Sequence, residues 1–280
     1  MDYSKPISKA KLKQYVSLKQ KKYRVQERLF IAEGERTVMQ LLAQPKLKAE
    51  AVIIHSEAEV SPDFWSLCDT AGADVYRAGK RDLKALSDTQ NMQGMIAVLE
   101  IPPPQNPLLW QPEPGAFILA LDGLSDPGNL GTIYRTAAWF GVTGILLGEG
   151  SVDLYNPKVV RSMAGATGSL PSAECALPDV LNEYQSRDYL IMLLDLNETA
   201  ITLKKAAELK QKSKKPVVVV VGNEAHGISE ALSSVYQAVY IPGNSDKVES
   251  LNAAVSAGIA LSSLSGNGGK ATEKPPLKQG

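Results

Sequence analysis

The sequence predicts an α/β protein in which a parallel-sheet domain follows a smaller α/β module. Three observations carry this. After Gly115, unbroken apolar runs ("AFILALD", "GILLG", "YLIMLLD", "PVVVVVG", "AVYIP") alternate with helical patterns, as expected of strands covered on both faces in a parallel sheet. Six prolines fall between Ile101 and Gly115, a composition that favours extended backbone and marks a boundary at residues 102–114. The length, 280 residues, suffices for two domains.

The elements follow in order. "ISKAKLKQYVSLKQKKYRVQERLFIAEGERTVMQLL" opens as a polar, basic helix and continues as an amphipathic one, with Val38, Leu41 and Leu42 at helical spacing. "AEAVIIHS" reads as a short buried strand and "MQGMIAVLE" as another. Between them "SPDFWSLCDTAG" reads as a helix capped by Ser61 and stopped by Gly72. Residues 1–101 are thus the first domain. In the second, residues 115–265, strand "AFILALD" precedes a helix from about Leu130. "GILLG" precedes a helix around "NPKVVRSMAG", which stops at the turn "GATGS", Gly165 to Ser169. Three more strands lead to a final helix, "ESLNAAVSAGIALSSLS". The tail, 266–280, is polar with glycine and proline, and is expected to be disordered.

Formal net charge is zero, but basic residues cluster twice. Lys5, Lys9, Lys11, Lys13, Lys19, Lys21, Lys22, Arg24 and Arg28 face only Glu27, and Lys204 to Lys215 hold only Glu208. Each cluster is either a solvated helix face or a track for phosphates. Cys68 and Cys175 are too few and too far apart for a disulfide framework or zinc site. With only His55 and His226, no histidine-built metal centre is expected. No apolar run nears the roughly 20 residues that span a bilayer, and a soluble cytoplasmic protein is the expectation.

In an open α/β sheet, ligands bind beyond the carboxyl ends of the strands. Three such ends carry unusual residues: "LDGLSDPGNLGTIYRTAAWFG", "VVVVVGNEAHGIS" and "VYIPGNSDKVESLNAAVSAG". Their glycines allow close approach to backbone, and helix starts add free N–H donors. Neither G-x-x-x-x-G-K-[ST] nor G-x-G-x-x-G is present, which disfavours a nucleotide-cofactor oxidoreductase. Taken singly, each polar residue has an ordinary reading. Asn129 suits a turn position with positive φ, Arg135 a surface ion pair, Glu224 a turn cap, and Ser250 with Asn252 a helix start.

Taken together, the three stretches resemble the motifs of the SpoU (TrmH-type) RNA 2′-O-ribose methyltransferases of the SPOUT superfamily. "FIAEGERTVMQLL" resembles the ribosomal-protein-like substrate-binding domain that precedes the catalytic domain in many of them. This resemblance implies a C-terminal trefoil knot, S-adenosylmethionine held by the main chain of Gly222, Ile241 and Leu251, and a catalytic set of Arg135, Asn129, Glu224, Ser250 and Asn252. It also implies a homodimer, for which Trp139 and Phe140 are candidates, and an RNA substrate delivered by the basic N-terminal helices, ribosomal RNA being favoured over tRNA. A non-catalytic RNA-binding or ribosome-assembly factor is the alternative of another class. His226 falls where the family varies and is expected to face solvent, and Ala225 stands where many relatives have glycine.

Overall fold

The computed structural model describes residues 2–89, 94–111, 115–244, 247–248 and 250–265. The chain forms two compact units: Met1–Pro104 with Asp126–Arg135 and Val152–Ser169, and Gln105–Ser125 with Thr136–Ser151 and Leu170–Gly280.

The first unit opens with β1 (Lys5–Pro6), α1 (Lys9–Ser17), α2 (Lys21–Glu27), β2 (Leu29–Glu33) and α3 (Glu35–Leu42). It continues with β3 (Ala49–His55), α4 (Pro62–Ala71), β4 (Asp74–Ala78), α5 (Lys80–Leu86) and β5 (Met95–Glu100). The strands lie in the order β1-β4-β3-β5-β2, with β5 antiparallel to both neighbours. α4 forms as its sequence signals require. Ser61 Oγ accepts the Phe64 N–H at 3.3 Å, Pro62 occupies the first turn, and Gly72 ends the helix at φ 68°. The N-terminal basic stretch departs from expectation, because strand β2 separates its helices. Arg28 adopts the left-handed region, φ 53°, which ends α2, and donates to the carbonyls of Ile101 and Pro102 at 2.9 and 2.8 Å. A five-residue apolar run such as "LFIAE" fits either element by periodicity alone.

The second half of the chain adds β6 (Phe117–Leu121), α6 (Pro127–Trp139), β7 (Gly144–Leu147), α7 (Pro157–Met163), β8 (Ser172–Glu174) and α8 (Leu177–Ser186). There follow β9 (Leu190–Leu194), β10 (Ile201–Thr202), α9 (Leu203–Ser213), β11 (Val217–Val221), α10 (Glu230–Ser233), β12 (Gln237–Tyr240) and α11 (Ala253–Leu264). Its seven strands are all parallel, in the order β10-β12-β9-β11-β6-β7-β8. From β6 the chain steps outward to β7 and β8, then returns on the far side of β11. The reversal therefore falls at β6 and β11, where open α/β sheets place their ligands.

α6 begins three residues earlier than the sequence suggested. Pro127 opens it, and Asp126 Oδ1 accepts the Asn129 N–H at 2.7 Å, the arrangement of an N-cap. Asn129 is thus helical rather than a turn residue with positive φ. Part of the proline-rich stretch is strapped down: Tyr184 Oη donates to the Pro107 carbonyl at 2.8 Å and Arg187 Nη1 to that of Leu108 at 2.7 Å. Trp110 packs so closely on Gly144 that a Cβ there would lie 2.5 Å from its ring.

The core of the first unit draws on both halves of the sequence. Val160 of α7 packs among Phe30, Val38, Leu41, Val52 and Ile54, and the Tyr155 ring lies 5.0 Å from that of Phe30. Gln44 Nε2 donates to the Gly165 carbonyl at 2.9 Å. Arg24, only 2% exposed, donates through Nε to Asp153 Oδ2 at 2.9 Å and through Nη1 to the carbonyls of Leu18 and Lys19. Its Nη2 also meets Asp153.

Residues 112–114 and the tail 266–280 lie outside the described residues, as do 245, 246 and 249 in the C-terminal segment for which the resemblance implies a knot. Among the described residues no helix is long and apolar enough to cross a membrane.

Candidate active site

The carboxyl ends of β6 and β11 are joined by a dense set of hydrogen bonds. The Asp122 N–H donates to the Val221 carbonyl at 2.9 Å, and Asp122 Oδ2 accepts the Ser229 N–H at 2.7 Å. Asn223 Nδ2 donates to the Gly123 carbonyl at 2.6 Å, while its Oδ1 accepts the N–H groups of Ala225 and His226 at 2.8 and 3.1 Å. The main chains of Asn223 and Gly227 exchange two further bonds, 2.9 and 3.0 Å. This folds residues 223–227 into a tight loop. Gly222 is required by that closure: a Cβ on it would lie 2.7 Å from Ile228 N and nearer still to Gly227 C. Glu224 reaches back to the β6 end, its Oε2 accepting the N–H and Oγ–H of Ser125 at 3.3 and 3.2 Å. The turn cap is therefore Asn223, and Glu224 bridges two strand ends. His226 is exposed, as expected, and Ala225 sits in the loop without a positive φ.

The third strand end lies on the same edge of the sheet. β12 is separated from β11 by β9, so the two are roughly 10 Å apart at the usual strand spacing. Ile241 is half-buried, and Ser250, Leu251 and Asn252 are exposed. Asn252 caps α11, its Oδ1 accepting the N–H groups of Ala254 and Val255 at 2.9 and 3.3 Å. That geometry is the helix start read from the sequence, and it is compatible with the site role that the resemblance implies.

Asn129 and Arg135 belong to the first unit. Arg135 is exposed, and among the described residues it forms no ion pair. α6 crosses α7 closely one turn before it, where a Cβ on Gly131 would lie 2.7 Å from the Val159 carbonyl oxygen. Neither cysteine suits nucleophilic chemistry: burial pushes the Cys68 thiol up to about 12 and that of Cys175 up to about 11. Among the described residues no group of three or more His, Cys, Asp or Glu side chains is placed to hold a metal ion.

The sequence pattern does not single out Asp122, Ser125 or Asp126, and it marks Asn223 only as part of the β11 end. Asp126 alone carried a usable signal, since Asp-Pro before a helical pattern marks an N-cap followed by proline at the first helical position.

Residues 116–262 match the SpoU rRNA Methylase family. The chain belongs to that family. Residues 9–97 match the MRM3-like substrate binding domain. This SpoU chain is 28% identical to the 23S rRNA (guanosine(2553)-2′-O)-methyltransferase RlmP of Bacillus subtilis, over 91% of its own length and 96% of that protein's. It is 32% identical to an uncharacterised tRNA/rRNA methyltransferase of Synechocystis, over 89% and 88%. A crystal structure of an AdoMet-bound rRNA methyltransferase from Sinorhizobium meliloti superposes with a TM-score of 0.80 at 25% identity, covering 93% of this chain and 97% of that one.

Within the substrate-binding region of this SpoU protein, several basic residues have structural tasks. Lys11 pairs with Glu50 at 2.6 Å, Lys19 Nζ donates to the Ser87 carbonyl at 2.6 Å, and Arg24 is buried against Asp153. Lys9, Lys13, Lys21 and Lys22 remain exposed.

Proposed function

We propose that this protein methylates a ribose 2′-hydroxyl in ribosomal RNA. The observation that carries the reading is the joining of the β6 and β11 ends by Asn223 and Glu224, at the point where the sheet reverses. S-adenosylmethionine is the methyl donor, and its sulfonium supplies an electrophilic methyl with a neutral leaving group. The donor set suits it. Gly222 and Ile241 are half-buried at the ends of β11 and β12, and a Cβ on Gly243 would meet no atom within 4 Å. Backbone groups and apolar side chains are what an adenine edge and face require. Gly222, Ile241 and Leu251 would hold it.

The chain's remaining task is to position the hydroxyl and favour its deprotonation. Arg135 is not a base, because a guanidinium pKa exceeds about 12. It grips the phosphate beside the target ribose and favours the developing 2′-oxyanion, and the proton leaves to that phosphate or to water. Glu224, Ser250, Asn252 and Asn129 complete the polar set. Ribosomal RNA is preferred to tRNA because the Bacillus relative acts on 23S rRNA. Residues 1–101 present the RNA, through Lys9, Lys13, Lys21 and Lys22. Two copies pair through α6 and α11: Trp139 is 80% exposed and Val255 50% exposed, apolar surface of the kind subunit contacts cover. Core packing is excluded for Trp139, whereas Phe140 is half-buried. The cytoplasm, where ribosomal RNA is assembled, is the place of action.

A 2′-O-methyl group removes the internal nucleophile of alkaline RNA cleavage. Ribosomal RNA from cells lacking the gene should therefore gain one alkali-sensitive position, restored by the purified enzyme with S-adenosylmethionine. A methyl group recovered on a base, or only in tRNA, would refute the corresponding part of the reading. Arg135→Ala should lower methyl transfer at least 100-fold with cofactor affinity unchanged by calorimetry. Arg135→Lys should recover only part, since the planar fork is lost.

A further inference from the structure

One strongly charged stretch has no task in the methyl-transfer site. α9 and the residues after it carry Lys204, Lys205, Lys210, Lys212, Lys214 and Lys215 against Glu208 alone. The structure divides these lysines by direction. Leu203 and Ala206 are buried, and Lys210 lies on the same arc of the helix. Its Nζ donates to the Leu264 carbonyl at the end of α11, 2.7 Å away, and sits 4.7 Å from the centroid of the Phe117 ring. Burial pulls its pKa below the ordinary lysine range. Lys215 pairs with Asp188 at 2.5 Å.

With that arc fixed inward, helical geometry sets the other. At about 100° per residue, Lys204, Lys205 and Lys212 fall within a single outward arc, and all three are exposed. Lys214, exposed, extends it at the left-handed C-cap, φ 55°. Glu208 lies on the same arc, but among the described residues it forms no ion pair. α9 also starts at the functional edge of the sheet. It follows β10, which pairs in parallel with β12 through Thr202 and Tyr240, and Thr202 Oγ1 accepts the Lys205 N–H at 3.3 Å. The lysines thus begin beside the strand ends that carry the site and continue for about 12 Å to Lys212.

We propose that this face of α9 is a second RNA contact, binding backbone phosphates outside the target nucleotide. The inference rests on the RNA methyltransferase reading above. The chemistry favours phosphate over base recognition. Ammonium groups on flexible stems are point charges that neutralise phosphates and release counterions, and the arc presents no aromatic side chain on which a base would stack. Such a surface adds affinity and salt dependence without reading sequence. It would hold a large folded RNA at the edge where the ends of β11 and β12 carry Glu224 and Ser250.

The test compares wild type with the Lys204→Glu, Lys205→Glu, Lys212→Glu, Lys214→Glu variant, on deproteinised bacterial 23S rRNA. Binding is measured across a salt series, alongside methyl incorporation from labelled S-adenosylmethionine. The expected result is at least a tenfold loss of RNA affinity at low salt and a shallower dependence of log K on log salt, by about 2 to 3 at roughly 0.7 per lost contact. KM for RNA should rise, with kcat at saturating RNA and cofactor affinity unchanged. A series with glutamine at the same four positions, showing graded losses, separates charge from misfolding. Wild-type affinity and salt slope in both series overturn the proposal while leaving the methyltransferase reading intact. A wild-type protein that transfers no methyl group to any RNA overturns that reading and the proposal with it.

Discussion

Asn223 shows how much a single side chain can hold. Its amide donates to Gly123 on one strand end, and its oxygen accepts two N–H groups within its own loop. Replacing it with alanine leaves those partners unsatisfied, at a cost of about 1–3 kcal/mol, and should loosen the loop that begins at Gly222. Asn223→Asp keeps the acceptor but loses the donor. Its S-adenosylmethionine affinity, measured by calorimetry, should fall between wild type and Asn223→Ala, and equal affinity in all three proteins would deny the residue a positioning role. The sequence made Arg135, Glu224 and Asn252 visible as members of a joint pattern. It did not reveal Asn223, because an asparagine beside glycine in a turn is ordinary and its reach to Gly123 depends on the pairing of β6 with β11. For the same reason Asn129 was misplaced: the Asp126 cap moves it from turn to helix.

At the level of elements, legibility followed length and end signals. Ser61 and Gly72 delimit α4 because a hydroxyl cap and a left-handed glycine each satisfy groups that the helix leaves unpaired. Ser61→Ala should destabilise the first unit by about 1 kcal/mol, read from urea denaturation, whereas Ser66→Ala on the same helix tests for a general effect of losing a serine. β6, β9 and β11 were legible as unbroken apolar runs. β1, β8 and β10 were not, being two or three residues long. β2 was lost inside a helical pattern, since Arg28 gives no sequence sign of its positive φ. α9 was read only as a lysine cluster. A lysine counts as polar in any pattern, so the inward turn of Lys210 onto Leu264 and Phe117 was invisible.

Over the whole molecule, sequence order and spatial grouping part company. Residues 1–104 share a core with 152–169, and the ion pair of Arg24 with Asp153 lies inside it. Removing one partner of a buried pair typically costs about 3–5 kcal/mol, whereas replacing both with apolar residues is often neutral. Arg24→Ala should therefore lower the denaturation midpoint strongly, and Arg24→Met with Asp153→Leu should recover most of the loss. Equal losses in the single and double variants would show that the pair is not what matters there. The same pairing has a consequence in time. Arg24 leaves the ribosome 129 residues before its carboxylate, a delay of roughly 6–26 s at bacterial to eukaryotic rates of synthesis. Throughout that interval the newborn N-terminal segment can offer Arg24 the carbonyls of Leu18 and Lys19 but not its carboxylate. The first unit therefore has all its parts only once residues 152–169 have been made.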